Sequence, residues 1–129
     1  MESPPSFTLT ATVLDAPDAR ALAGFYAELL NWPVRTDEAD WVTLAPPGGG
    51  AGLSFQTESR FVPPTWPAEG GAQQMMTHLD IEVTDLASAV GRATALGASV
   101  AGFQPQDDVR VMLDPVGHPF CLWIRDATV

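Results

Sequence analysis

The 129-residue sequence is poor in basic residues and in cysteine. Six Lys and Arg residues stand against 16 Asp and Glu, so the formal net charge is −10 at pH 7. An acidic chain without a basic cluster repels phosphate backbones, which disfavours a nucleic-acid partner. The single cysteine, Cys121, rules out an internal disulfide and suits a reducing compartment, so we expect a cytoplasmic protein.

Long apolar runs are also missing. Every apolar stretch is broken before the 18 or so residues that a membrane-spanning helix needs. Residues 1–5 lack the basic and apolar segments of a signal peptide. A hydrophobic fraction of 46% over this length indicates a folded chain. We therefore expect one domain over residues 1–129, with no membrane partner.

What the sequence does contain is a repeat. Residues 11–18 and 78–85 each read as a strand that ends in an aspartate able to cap a helix, and they lie 67 positions apart. Apolar residues at helical spacing follow each aspartate. After Asp18 they are Leu22, Phe25, Tyr26, Leu29 and Leu30, and after Asp85 they are Leu86, Ala89, Val90 and Ala93, with Gly97 as the C-terminal stop.

Short strands are predicted after each helix. They cover residues 41–44 and 53–56 in the first half and 99–103, 109–113 and 120–124 in the second, where Asp114–Gly117 forms a type I turn. The predicted fold is α+β, with two tandem βαβββ units. The first unit spans about residues 6–57, a Pro- and Gly-rich linker about 58–74, and the second unit about 75–126.

Four motifs in this order resemble the vicinal-oxygen-chelate superfamily of glyoxalase I, bleomycin-resistance proteins and extradiol dioxygenases. They are Asp18 with Phe25-Tyr26-x-x-Leu29-Leu30, the segment His78–Asp85, Leu96-Gly97-Ala98, and Asp114-Pro115-Val116-Gly117. Gln56, residues 63–67 and residues 117–120 are similar to a glyoxalase-like domain subgroup. The resemblance implies that each sheet curls into a cup around a small molecule, with helices outside.

The resemblance also implies positions for metal ligands. On the first strands they are Ala11 and His78; on the last strands they are Ser54, or Gln56 if the register slips by two, and Cys121. Alanine cannot coordinate, and His78 with Cys121 makes only two ligands. We expect no cofactor. A divalent metal is disfavoured and would, if bound, be held by His78 and Gln56.

The candidate ligand-binding residues are Gln56, Trp66, His78, Asp80, Cys121 and Trp123. His78 is the candidate catalytic residue, because an imidazole transfers protons at neutral pH; the alternative is a structural histidine. Asp80 and Glu82 share its strand face. Cys121 is predicted to be an inert thiol, and the alternative is a nucleophile paired with His78. His118 is predicted to be a surface or hinge residue, and the alternative is a residue at the mouth of the cup. Trp66 stands in a proline-rich loop as a stacking wall or dimer contact.

Three functional hypotheses follow. The first is a metal-independent binding protein, a homodimer like the bleomycin-resistance proteins, that holds an aromatic or cationic ligand in its cup. The second is an enzyme that uses His78 for proton transfer or isomerisation without a metal. The third is a lyase or dioxygenase type of enzyme with a divalent metal and an unusual ligand set.

Overall fold

A computed structural model describes residues 4–125, so the ends of the predicted domain, residues 1–3 and 126–129, lie outside the described residues. The chain divides into two compact units, Met1–Ser59 and Arg60–Val129. No helix among the described residues has both the length and the apolar character needed to cross a membrane.

Each unit is a four-stranded mixed sheet with one helix. The elements of the first unit are β1 (Ala11–Ala16), α1 (Ala19–Leu30), β2 (Val34–Glu38), β3 (Trp41–Leu44) and β4 (Gly52–Thr57), and the strand order is β1-β4-β3-β2. Strand β1 runs parallel to β4, and the other neighbours are antiparallel.

The second unit repeats this plan. Its elements are β5 (Leu79–Val83), α2 (Leu86–Ala95), β6 (Ser99–Val100), β7 (Val109–Leu113) and β8 (Pro119–Ile124), in the order β5-β8-β7-β6. The prediction of an α+β fold with two tandem βαβββ units is confirmed. The repeat extends to the register, because Val13 pairs with Ser54 and Asp80 pairs with Cys121, so that both strands keep the 67-residue spacing.

Two strands differ from the prediction. Strand β2 was missed because its residues, Val34-Arg35-Thr36-Asp37-Glu38, lack an apolar alternation. Strand β6 stops at Val100 although residues 99–103 were predicted. The side chain of Gln104 takes over beside β7, since its amide donates to the carbonyls of Ala101 and Val111 and its oxygen accepts from the Val111 N–H.

Helix α1 begins and ends where its sequence signals lie. The carboxylate of Asp18 accepts from the backbone N–H groups of Arg20 and Ala21 at 3.1 and 3.4 Å, and Asn31 ends the helix with φ of 55°. Its buried side chains are Ala19, Leu22, Ala23, Phe25 and Tyr26, whereas Leu29 and Leu30 are only half-buried. Tyr26 is fully buried and stacks on Phe55 of β4, with ring centroids 5.7 Å apart.

Helix α2 is a shallower version of α1. Asp85 caps it by accepting hydrogen bonds from the backbone N–H and hydroxyl of Ser88, and these bonds lower the pKa of the Asp85 carboxyl. Gly97 follows the helix with φ of 120°, the left-handed conformation predicted for its stop. Ala93 is the fully buried residue of this helix, and Phe120, Met112 and Leu122 fill the core of the second unit.

The segment predicted as a linker packs within the second unit. The N–H of Thr65 donates to the carbonyl of Gln73, and the ring of Phe61 lies 5.2 Å from that of His118. A side chain at Gly117 would meet the ring of Pro63 at 2.9 Å. This proline-rich stretch therefore lies against the turn between β7 and β8.

Candidate functional site

The open face of the first sheet follows from strand alternation. Val42, Leu44, Leu53 and Phe55 are buried and face α1. The alternate residues of β3 and β4 therefore face the other way, and the register pairs Trp41 with Gln56 and Thr43 with Ser54. We call this surface the open face of the first unit.

A cavity of about 300 Å³ lies on this open face. Its lining includes Ala11, Arg35, Trp41, Thr43, Gly52 and Ser54. The volume is at the lower end of the roughly 300–1,000 Å³ typical of small-molecule sites. Among the lining residues that the structure describes, Arg35 is the ionisable one, while Trp41 offers an aromatic surface and Thr43 and Ser54 offer hydroxyls.

Glycine shapes the floor of this cavity. A Cβ on Gly52 would overlap the carbonyl oxygen of Leu44 on the neighbouring strand. The close approach of β3 and β4 at this point therefore requires glycine.

Gln56 lies at the other end of the same face. Its side-chain amide donates to the carboxylate of Asp15 at 2.7 Å. The register also decides between the two predicted equivalents of Cys121, because Ser54 keeps the 67-residue spacing and Gln56 does not. Gln56 is therefore an exposed polar residue held by Asp15, and the cavity lining does not include it.

The second sheet carries a different group of side chains on its open face. Donor atoms of His78, Asp80 and Cys121 all lie within 4.8 Å of one another. His78 Nε2 is 3.1 Å from an oxygen of Asp80, and the register pairs Asp80 with Cys121. The family resemblance implied that His78 and Cys121 lie close together, and the structure adds a donor atom of Asp80 to them.

The thiol of Cys121 is poorly suited to nucleophilic attack. Burial raises its pKa above the ordinary value of 9.0, and the charge of Asp80 together with its hydrogen bond raises the pKa further. Since the thiolate is the nucleophile, Cys121 is mostly the neutral thiol at neutral pH. The remaining acid of this face, Glu82, forms an ion pair with Arg125 at 3.1 Å.

The two predicted tryptophans of the second unit have different surroundings. Trp123 shares a strand face with Cys121, in agreement with their spacing of two. Trp66 packs against Phe103 of the same unit: its indole N–H donates to the Phe103 carbonyl at 3.1 Å, and the two ring centroids lie 6.0 Å apart.

His118 was wrongly predicted as a surface or hinge residue. Its side chain is only 15% exposed and its Nδ1 lies 2.8 Å from the fully buried carboxylate of Asp114. The other oxygen of Asp114 accepts from the backbone N–H groups of Val116, Gly117 and His118. The Asp114–Gly117 turn, closed by a Gly117 N–H to Asp114 carbonyl bond at 2.9 Å, is thus built around a buried carboxylate.

Comparison with known proteins identifies the family. The family model described as a glyoxalase-like domain matches residues 11–123 of this chain. The chain belongs to the glyoxalase-like domain family. The comparison of this chain with curated protein sequences found no match.

Solved structures of similar fold include glyoxalase-like and bleomycin-binding proteins. A possible glyoxalase from Bacillus cereus shares 11% identity, with a TM-score of 0.66 over 92% of this chain and 99% of that one. A glyoxalase/bleomycin resistance protein/dioxygenase family enzyme from Burkholderia phytofirmans shares 15% identity, with a TM-score of 0.66 over 92% and 98%. The bleomycin-binding protein of Streptomyces verticillus shares 18% identity, with a TM-score of 0.58 over 95% and 100%. At such identities the likeness of these neighbours to this chain is one of fold.

Proposed function

We propose that this protein binds a small molecule in the manner of the bleomycin-resistance proteins, on the open face of its sheet and without needing a metal. The observation that carries this proposal is the cavity of about 300 Å³ on the first unit, walled by Trp41. Tryptophan offers a large rigid surface to a planar ligand at little entropic cost. The Streptomyces verticillus neighbour, which was solved with copper(II)-bleomycin, supports a binding role for this fold.

The first unit supports metal independence. Ala11, Val13 and Ser54 occupy the positions that His78, Asp80 and Cys121 occupy in the second unit. Of these three, only Ser54 has a side-chain oxygen, and a neutral hydroxyl is a weak ligand for a divalent ion. Binding at the cavity thus depends on shape, aromatic contact and hydrogen bonds.

Titration with N-phenyl-1-naphthylamine, a neutral aromatic fluorophore, tests the proposal. We expect saturable binding at one site per chain that survives EDTA treatment, and about tenfold weaker binding for Trp41→Ala, since a stacked aromatic wall contributes on the order of 1 kcal/mol or more. Trp32→Ala is the matched control, because Trp32, which directly follows α1 and its Asn31 cap, does not line the cavity and its substitution should leave the affinity unchanged. No saturable binding, or equal binding by Trp41→Ala, would contradict the proposal.

The donor group of the second unit favours a second candidate function, that of an enzyme using His78 and a divalent metal. His78, Asp80 and Cys121 fit a borderline ion such as zinc, because catalytic zinc sites have three protein ligands and an open fourth position. A metal there would polarise an oxygen atom of a bound substrate. Cys121 must lose its proton to serve as a ligand, and its raised pKa opposes that step.

Metal content separates the two candidates. The purified protein is incubated with zinc, nickel, manganese or ferrous iron, passed through a desalting column and measured by mass spectrometry. Binding without metal predicts no stoichiometric ion. One ion per chain that is lost in both His78→Ala and Cys121→Ser would favour the second candidate.

A further inference from the structure

Arg35 stands out among the basic residues that the structure describes. Arg20 forms an ion pair with Asp37 at 2.8 Å, Arg125 pairs with Glu82, and Arg110 donates to backbone carbonyls. Arg60 and Arg92 also have interactions. Arg35, in contrast, makes no hydrogen bond or ion pair with the part of the chain that the structure describes. In a protein of net charge −10, an unpaired arginine on a cavity wall needs an explanation.

A β-bulge places Arg35 at that wall. Val34 pairs with Leu44 but Thr36 pairs with Thr43, so β2 has one more residue than β3 over this stretch, and that residue is Arg35. The N–H of Thr36 donates to the hydroxyl of Thr43 at 3.0 Å. Bulges redirect a side chain relative to the regular alternation of a strand, and they are common beside binding sites.

The nearby acids are engaged elsewhere or lie outside the cavity. The carboxylate of Asp37 is paired with Arg20, and that of Asp15 accepts from Gln56. Glu38 shares the open face but pairs with Trp41 at the far end of β3, and it is not among the lining residues. The described lining therefore carries one positive charge and no negative charge.

We propose that Arg35 binds an anionic group of the ligand, a carboxylate or a phosphate, while the ring of the ligand lies against Trp41. The planar guanidinium offers two parallel N–H donors, which match the oxygens of either anion. This inference rests on the proposed function and replaces the cationic ligand that the net charge favoured. The acidity of the whole chain does not describe the local field at this cavity.

Four compounds with one ring and different charges test the inference. Benzoate and phenyl phosphate are anionic, benzamide is neutral, and benzylamine is cationic; binding is followed by tryptophan fluorescence or calorimetry. We expect at least one anion to bind about tenfold more tightly than benzamide. This factor corresponds to the lower end of the range for hydrogen bonds to charged groups, since the site is partly open to water. Benzylamine should bind most weakly, and the ratio between benzoate and phenyl phosphate identifies the preferred anion.

Variants assign the effect to Arg35. Arg35→Gln should remove the roughly tenfold preference for the anion and leave the affinity for benzamide unchanged. Arg35→Lys should keep part of the preference, because lysine retains the positive charge but lacks the two parallel N–H donors of the guanidinium. Arg92→Gln, the same change on α2 of the second unit, is the control and should behave as the native protein.

The outcomes distinguish this inference from the proposed function. Equal binding of benzamide and both anions, or tighter binding of benzylamine, would overturn the role of Arg35 while N-phenyl-1-naphthylamine still binds. An anion preference that persists in Arg35→Gln would overturn it as well. If neither the fluorophore nor any of the four compounds binds, the proposed function fails and this inference fails with it.

Discussion

The two units share one scaffold and carry different chemistry. Ala11, Val13 and Ser54 in the first unit correspond by register to His78, Asp80 and Cys121 in the second. Ala11 and Ser54 of the first set line a cavity, whereas the second set brings three donor atoms together. Three differences at equivalent positions thus replace a group of donor atoms by two apolar side chains and one hydroxyl. The repeat of the backbone does not predict a repeat of function.

The hydrophobic cores of the two units also differ at equivalent positions. Leu53 and Phe55 of β4 correspond to Phe120 and Leu122 of β8, so the two buried residues occur in reverse order. Tyr26 on α1 corresponds to Ala93 on α2, and both are fully buried. The large helix residue that stacks on Phe55 thus corresponds to a small one in the second unit, and two cores of different composition support one topology.

Truncating the aromatic core of the first unit should have the largest effect. Phe55→Ala removes the ring that stacks on Tyr26, and we expect a loss of about 3–5 kcal/mol in the free energy of unfolding. Urea denaturation followed by circular dichroism measures it. The paired variant Leu122→Ala should cost about 2–5 kcal/mol. A larger loss at Leu122 than at Phe55 would contradict the view that the aromatic stack dominates.

The buried carboxylate of Asp114 gives a second comparison between the units. The first unit uses the glycine run 48–50 where the second uses the Asp114–Gly117 turn, so it has no equivalent group within the described residues. Asp114→Ala leaves the backbone N–H groups of Val116 and His118 without their acceptor and removes the partner of the His118 ring, whereas the Gly117 N–H keeps the Asp114 carbonyl. We expect a loss of about 3 kcal/mol in the free energy of unfolding. His118→Ala removes one of these bonds and should cost less in the same denaturation experiment. Equal losses would show that the His118 contact alone accounts for the effect.

The smallest effect is expected at the helix cap of the second unit. The pKa of Asp85 is lowered by its hydrogen bonds to Ser88, so its charged form stabilises the folded state at pH values above 3.8 and this contribution is lost as the pH falls through the lowered pKa. Asp85→Ala should therefore be less stable than the native protein at neutral pH, and the difference should shrink as the pH falls below 3.8. Urea midpoints across this range measure it. Ser88→Ala should weaken the pH dependence, and an unchanged difference at all pH values would refute the linkage.

The sequence was most informative where local patterns determine structure. Helical spacing and capping aspartates predicted both helices, and the 67-residue repeat predicted the two tandem units. Strand β2 was missed because it is an edge strand whose residues are mostly exposed, and an exposed strand does not need an apolar alternation. The alternation of His78 and Asp80 placed them correctly on one face.

The features that depend on packing could not be predicted in the same way. A bulge leaves no local signal in Val34-Arg35-Thr36, so the position of Arg35 on a cavity wall was not foreseen. The buried pair of Asp114 and His118 has an ordinary turn sequence, and the burial comes from the segment that includes Phe61 and Pro63. The roles of Gln56, Trp66, His78, Asp80, Cys121 and Trp123 in ligand binding stay predictions.

The parallel pairing of β1 with β4 sets an order of events during synthesis. The first strand of each unit is hydrogen-bonded to the last strand of that unit. The first strand therefore cannot join its sheet until the last strand has been translated. Non-local pairing of this kind is slow to form, and an N-terminal unit emerges first from the ribosome. All partners of β1 are present once residue 57 has emerged, and we expect the first sheet to assemble while the second is still being translated.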